Sequence, residues 1–265
     1  VGRRLGQHFL AQKSILDRIA DAACGVFPGD ACRERAPLVI EIGPGKGALT
    51  ESLLERADRV IAIELDAFFV HYLHQKFREH IEQGRLTIVE GDILKADLLA
   101  WGEEPAIAGN LPYYITSPIL QKVFELDGKW KRAVFLMQAE VAERLAAAPG
   151  SRDFGYLSVQ TQVMSKPEIL FPVSRMAFRP PPKVESAVVR LEPRETAELA
   201  RVERAEFLKF ASACFRQKRK TLRNNLATIY GDAISTMPEA RMRAERLGVQ
   251  ELIALFRKIT SPAVN

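Results

Sequence analysis

The stretch LVIEIGPGKGALTESLLERA, residues 38–57, governs how the rest of the chain is read. It opens as an apolar run broken only by Glu41, the pattern of a strand buried on both faces. Gly43, Gly45 and Gly47 follow at alternate positions, and ALTESLLERA then continues with helical spacing. Strand, glycine turn and helix form the first unit of an α/β sheet, whose ligands lie outside the carboxyl ends of the strands.

Working outward, the alternation repeats. RVIAIEL (59–65) leads into DAFFVHYLHQKFREHI, and LTIVEGD (86–92), PAIAGN (105–110) and RAVFLMQ (132–138) read as three more strands. Val- and Ile-rich strands spaced by helices predict a mostly parallel, Rossmann-like sheet. From 154 to 192, YLSVQTQVMSKPEILFPV and KVESAVVRLEP read as two extended runs around FRPPPK, where three prolines exclude helix. One antiparallel strand would then finish the sheet. After Pro193 the pattern turns helical in RVERAEFLKFASACF, KRKTLRNNLATIY, MPEARMRAERLG and VQELIALFRKI. The predicted division is a catalytic α/β domain over 1–194 and a small all-α domain over 195–265.

Bulk properties narrow the class. The chain has 265 residues, 47% of them hydrophobic, and no apolar run approaches the roughly 20 residues that span a bilayer. Its basic start lacks the apolar core of a secretory signal. Cys24, Cys32 and Cys214 have no metal-ligand spacing, so no metal is expected and a reducing cytoplasm fits, with a local Cys24–Cys32 bridge as the lesser alternative. The net charge of +5 and pI near 9.2 are compatible with an anionic partner. Much of the excess sits in FRQKRKTLRNN, with Arg216, Lys218, Arg219, Lys220 and Arg223. These are candidate phosphate contacts on a basic helix, or simply a solvated face.

The strand ends suggest a ligand. A dinucleotide site favours GxGxxG, whereas this turn is GxGxG. Glu64, followed by Leu65, ends the second strand about 20 residues on, where a carboxylate can accept both ribose hydroxyls. Asp92, followed by Ile93, ends the third, where a carboxylate can accept an adenine amino group. Either acid could instead cap the helix after its strand. A glycine turn with two such acids suits S-adenosylmethionine, which has no pyrophosphate. The sheet resembles the class I methyltransferase fold.

GNLPYYI (109–115) ends the fourth strand. An aromatic amine is a poor nucleophile because its lone pair is delocalised into the ring. If the Asn110 side-chain oxygen and the Leu111 carbonyl, turned inward by Pro112, accept its two N–H groups, that lone pair is aimed at the methyl donor. Tyr113 can stack on an extruded base. The competing reading is a strand end with aromatics on the core.

Together with LGQHFL, FLMQAEVAERLAAAPGSRDFGYLSV, FRPPPKVESAVVRL and FRQKRKTLRNNL, these motifs resemble the KsgA/RsmA-type ribosomal RNA adenine dimethyltransferases over almost the whole chain. The resemblance implies N6,N6-dimethylation of two adjacent adenosines in a loop near the 3′ end of small-subunit ribosomal RNA, within an immature 30S particle late in assembly, by a monomer. It implies cofactor contacts at His8, Leu10, Gly43, Glu64, Asp92 and Asn110, and base contacts at Asn110, Leu111, Tyr113 and Phe178, the last as the second face of a stacking sandwich. Many members have Asn where His8 and Tyr114 stand. His8 could alternatively belong to an N-terminal arm that only docks on the sheet. Two other readings stay open: an Erm-like large-subunit methylase, and an assembly or transcription factor that has lost its chemistry.

Overall fold

The computed structural model describes residues 8–26, 35–194 and 199–260. Along the first part of the chain run β1 (Phe9–Leu10), α1 (Lys13–Cys24), β2 (Ala36–Ile42), α2 (Ala48–Leu54), β3 (Ala57–Glu64), α3 (Ala67–Lys76), α4 (Arg78–Glu82), β4 (Leu86–Glu90), β5 (Ala106–Asn110), α5 (Thr116–Phe124) and β6 (Arg132–Gln138). Then come α6 (Ala139–Ala146), α7 (Tyr156–Met164), β7 (Ser165–Val173), β8 (Phe178–Arg179) and β9 (Ser186–Pro193). The last helices are α8 (Arg201–Cys214), α9 (Leu222–Tyr230), α10 (Asp232–Ser235) and α11 (Val249–Thr260).

Seven strands form one sheet in the order β4-β3-β2-β5-β6-β9-β7. The pairs β2–β3, β2–β5, β3–β4 and β5–β6 are parallel, and β9 runs antiparallel to β6. This is the expected mostly parallel α/β sheet. Val39 and Ile40, on opposite faces of β2, are both fully buried, as a sheet covered on two sides requires. On one face Leu16 and Ile19 of α1 and Leu49 and Leu53 of α2 share a core with Val39, Val60 and Val134. The strand order reverses on either side of β2, so the ends of β2 and β5 open the crevice where such sheets hold ligands.

The chain divides into two compact units, one of 1–142 with 168–193 and the other of 143–167 with 194–265. The helical unit takes in residues 143–167 as well as the chain from 194 onward. YLSVQTQVM, expected to be extended, is helix α7, and the strand begins only at Ser165. Its β-branched residues favour a strand, but Phe154 and Val159 are fully buried in the helical unit's core with Phe207 and Phe210. The Ser158 hydroxyl accepts the Gly155 N–H (3.0 Å) and donates to the Arg144 carbonyl (2.6 Å), fixing the helix start.

Two further expectations are corrected in the helical unit. MPEARMRAERLG is not a helix but two 3₁₀ turns, Pro238–Arg241 and Ala244–Arg246, with extended backbone at Met242 and Arg243. The basic run is helical only at its end, where Arg223 lies in α9. Residues 215–221 form a turn, and α9 starts at Leu222 behind Thr221, whose hydroxyl accepts the Asn224 N–H. Among the described residues no helix is long and apolar enough to cross a membrane.

Candidate active site

After β2 the backbone passes through Gly43, Gly45 and Gly47 at φ of +65°, +55° and +74°. Gly45 has a second reason to lack a side chain, since a Cβ there would stand 3.0 Å from the Phe9 ring. So turned, the Gly45 N–H donates to Glu64 Oε2 at 2.9 Å, and the Asp66 N–H donates to Glu64 Oε1 at 3.0 Å. Each carboxylate oxygen keeps a further lone pair, so the buried Glu64 can still accept hydroxyls. The cap of α3 is Asp66, whose Oδ1 accepts the Phe68 N–H (2.9 Å), so helix capping does not explain Glu64. Asp92 does cap, with Oδ1 accepting the Leu94 N–H (3.0 Å), but it caps a turn and commits one oxygen to it.

At the end of β5 the Asn110 amide is oriented from far away in sequence. Its Nδ2 donates to the His8 carbonyl at 3.1 Å, which leaves Oδ1 as the acceptor limb. His8 Nδ1 lies 2.8 Å from the Pro180 carbonyl; a carbonyl only accepts, so Nδ1 carries the proton. The His8 ring is also stacked near Tyr113, with centroids 6.2 Å apart and planes 29° apart. The Tyr113 hydroxyl bonds the Ser186 hydroxyl at 2.9 Å, and burial raises its phenol pKa. The Leu111 N–H is anchored to the Leu136 carbonyl of β6 (2.9 Å), and the Pro112 carbonyl accepts the Ile115 N–H (3.1 Å). The corner is thus tied to the sheet before it and to α5 after it.

These groups surround a cavity of about 390 Å³, a size suited to a nucleoside-bearing cofactor. All the cofactor residues expected from sequence line it: His8, Leu10, Gly43, Gly45, Glu64, Leu65, Asp92, Ile93 and Asn110. Leu111, Pro112 and Tyr113 line it too. Phe178 does not. It is 1% exposed, registered opposite Leu10 in the β1–β8 pair and packed in the core, so its expected face on a stacked base is absent from this arrangement.

Sequence reasoning missed Glu41, which lines the same cavity from within β2 and is 1% exposed. An acid inside an apolar strand was the available signal. Burial pushes its carboxyl up to about 8; the Thr50 hydroxyl, donating at 2.6 Å, opposes that rise, the nearby Glu64 adds to it and Lys76 opposes it.

Comparison with known proteins gives this geometry its relatives. The family model for ribosomal RNA adenine dimethylase matches residues 2–260. The chain belongs to the ribosomal RNA adenine dimethylase family. Ribosomal RNA small subunit methyltransferase A of Acidobacterium capsulatum is 41% identical over 266 residues, covering 97% of this chain and 90% of that protein. The protein of the same name from Thiobacillus denitrificans is 40% identical over 255 residues, covering 96% and 95%. Among solved structures, a dimethyladenosine transferase from Plasmodium falciparum aligns with a TM-score of 0.77 at 26% identity, covering 94% of this chain and 96% of that one. The 23S rRNA methyltransferase ErmE aligns at 0.69 and 26%, covering 96% and 100%.

The helical unit of this dimethylase-family chain carries the basic residues. Arg216, Lys218, Arg219, Lys220 and Arg223 are all exposed. The Lys218 ammonium donates to the Arg152 carbonyl, so the structure adds the exposed Arg152 from the segment before α7, a residue that sequence reasoning did not connect with them. Cys24 and Cys214 are free, and burial pushes both thiols up to about 12, which leaves neither reactive. Cys32 lies outside the described residues.

Proposed function

We propose that this enzyme dimethylates N6 of two adjacent adenosines in a loop near the 3′ end of small-subunit ribosomal RNA, using S-adenosylmethionine, on an immature 30S particle late in assembly. The observation that carries the reading is the Asn110 amide. Its Nδ2 is spent on the His8 carbonyl, and its Oδ1 is left to accept at a cavity walled by Glu64 and Asp92.

The donor set fits the cofactor. Glu64 accepts the ribose hydroxyls with the lone pairs that Gly45 and Asp66 leave over. The oxygen of Asp92 not bonded to Leu94 accepts the adenine amine, with Ile93 and Leu65 beside the ring. His8, Leu10, Gly43 and Asn110 complete the wall. When bound, S-adenosylmethionine supplies an electrophilic methyl group on a cationic sulfur.

The chain's own contribution is alignment. In the first transfer Asn110 Oδ1 and the Leu111 carbonyl accept the two N–H groups of the target amine, and in the second one of them accepts the single N–H that remains, which localises the lone pair and points it into the cavity. Tyr113, braced by Ser186 and His8, offers its ring to the extruded base. No side-chain base is required, because the methylated amine is acidic enough to release its proton to water. Orientation of this kind supplies most of the rate. The cationic residues of the helical unit hold the RNA by its phosphates. The enzyme works as a cytoplasmic monomer in this reading.

Tritium from labelled cofactor should map to two neighbouring adenines of under-methylated small subunits. Label in large-subunit RNA instead would favour an Erm-like reading, and no label with intact cofactor binding would favour a non-catalytic factor.

A further inference from the structure

Residues 215–221 have no regular secondary structure, yet their backbone is bound at several points. Asn225, in the first turn of α9, is 5% exposed although it is an amide. Its Oδ1 accepts the Gln217 N–H at 3.2 Å. Its Nδ2 donates to the Cys214 carbonyl at 2.8 Å and the Gln217 carbonyl at 3.2 Å. One side chain therefore satisfies a carbonyl in the last turn of α8 and both backbone groups of Gln217. The Gln217 carbonyl also accepts the Lys220 N–H (2.9 Å), and Leu222 N–H donates to the Met242 carbonyl (2.8 Å) at the far end. Between these ties stand the exposed Arg216, Lys218, Arg219 and Lys220.

We infer that Asn225 is a positioning residue for RNA: its buried amide presets the 215–221 turn so that Arg216, Lys218, Arg219 and Lys220 meet successive phosphates of one strand. This rests on the proposed reading of the turn as an RNA contact. A loop with the same charges but no such tie would have to be ordered on binding, and that entropy would be subtracted from the affinity. Asn225 touches no phosphate itself. It raises affinity by removing that cost, and the side chains around it supply the charge.

The test uses the full chain, under-methylated small subunits and a salt titration. Asn225→Ala keeps every charge. It is expected to weaken subunit binding about tenfold with the slope of log K against log salt unchanged, because the same phosphates are engaged once the turn has been ordered on binding. KM for the subunit should rise while kcat at saturation and cofactor affinity stay within twofold. If circular dichroism shows that Asn225→Ala loses helix, Asn225→Leu, which fills the space without hydrogen bonds, takes its place. A folded variant with wild-type affinity overturns the inference, and so does a shallower slope, which would mean that phosphate contacts are lost and not merely ordered at a cost. Unfolding of both variants overturns it as well, since Asn225 would then hold the fold and not the turn. The charge variant Lys218→Gln/Arg219→Gln/Lys220→Gln separates this inference from the reading beneath it. Wild-type affinity there sinks the RNA role of the turn, whereas loss there with a silent Asn225→Ala sinks only the positioning role.

Discussion

The glycine turn after β2 and the cationic turn before α9 are both irregular segments clamped by one buried polar side chain, and they differ in what that side chain faces. Glu64 takes the N–H groups of Gly45 and Asp66 and itself lines a cavity. Asn225 takes the backbone of Cys214 and Gln217, and the groups able to meet a ligand are its exposed neighbours. The difference teaches where single residues matter. In a concave, largely water-free site each hydrogen bond is strong and a missing partner is costly. On a solvated surface, salt screens each charge within about 8 Å, and affinity is spread over many contacts.

The comparison breaks most readily at Asn110. Asn110→Ala should lower kcat by about 10²–10³-fold and leave cofactor affinity within a few-fold, because it removes alignment more than binding. Near-normal turnover in a steady-state methyl-transfer assay would refute the assigned role. Glu64→Ala should act on the other parameter, weakening cofactor binding by about 10²-fold in calorimetry, as expected for losing a buried charged acceptor and leaving two N–H groups unpaired. An effect confined to turnover would contradict the ribose assignment.

The surface should respond more gently. Lys218→Gln/Arg219→Gln/Lys220→Gln is expected to cost about tenfold in subunit affinity at physiological salt, with a smaller loss at high salt where the contacts are already screened. Equal loss at all salt concentrations would mean that the turn acts by shape and not by charge. Ser186→Ala, which frees the Tyr113 hydroxyl, should raise KM for RNA by roughly two- to fivefold and leave cofactor affinity unchanged.

Glu41 sharpens the contrast in stability and not in activity. Its carboxyl rises from an ordinary 4.5 to about 8 in the fold. Between those values the folded chain keeps a proton that the unfolded chain has released, so stability conferred by this group is full below about pH 4.5 and falls as pH rises to about 8. Without cofactor, the melting temperature of Glu41→Gln should fall less than wild type between about pH 5 and 8, by on the order of 5 °C. Parallel curves would show that Glu41 does not hold its proton in that range.

Much of the sheet and most of the cavity wall were legible in the chain, because each signal is local: apolar strands, alternate glycines, and an acid, an acid and an amide closing three successive strands. A parallel sheet then brings consecutive strand ends to one crevice, so Gly43, Glu64, Asp92 and Asn110 converge without further information. What the tertiary structure alone decided is which partner each group meets. The Asn110 amide is turned by the His8 carbonyl 102 residues away, Lys218 reaches Arg152 across 66, and Phe178 enters the core opposite Leu10 and not the cavity. The helical state of 156–164 belongs here too, since its β-branched side chains favour a strand and burial of Phe154 and Val159 among Phe207 and Phe210 overrides them. Periodicity and turn chemistry act over a few residues, whereas hydrogen-bond orientation and core membership depend on groups that only the folded chain brings within about 3 or 4 Å.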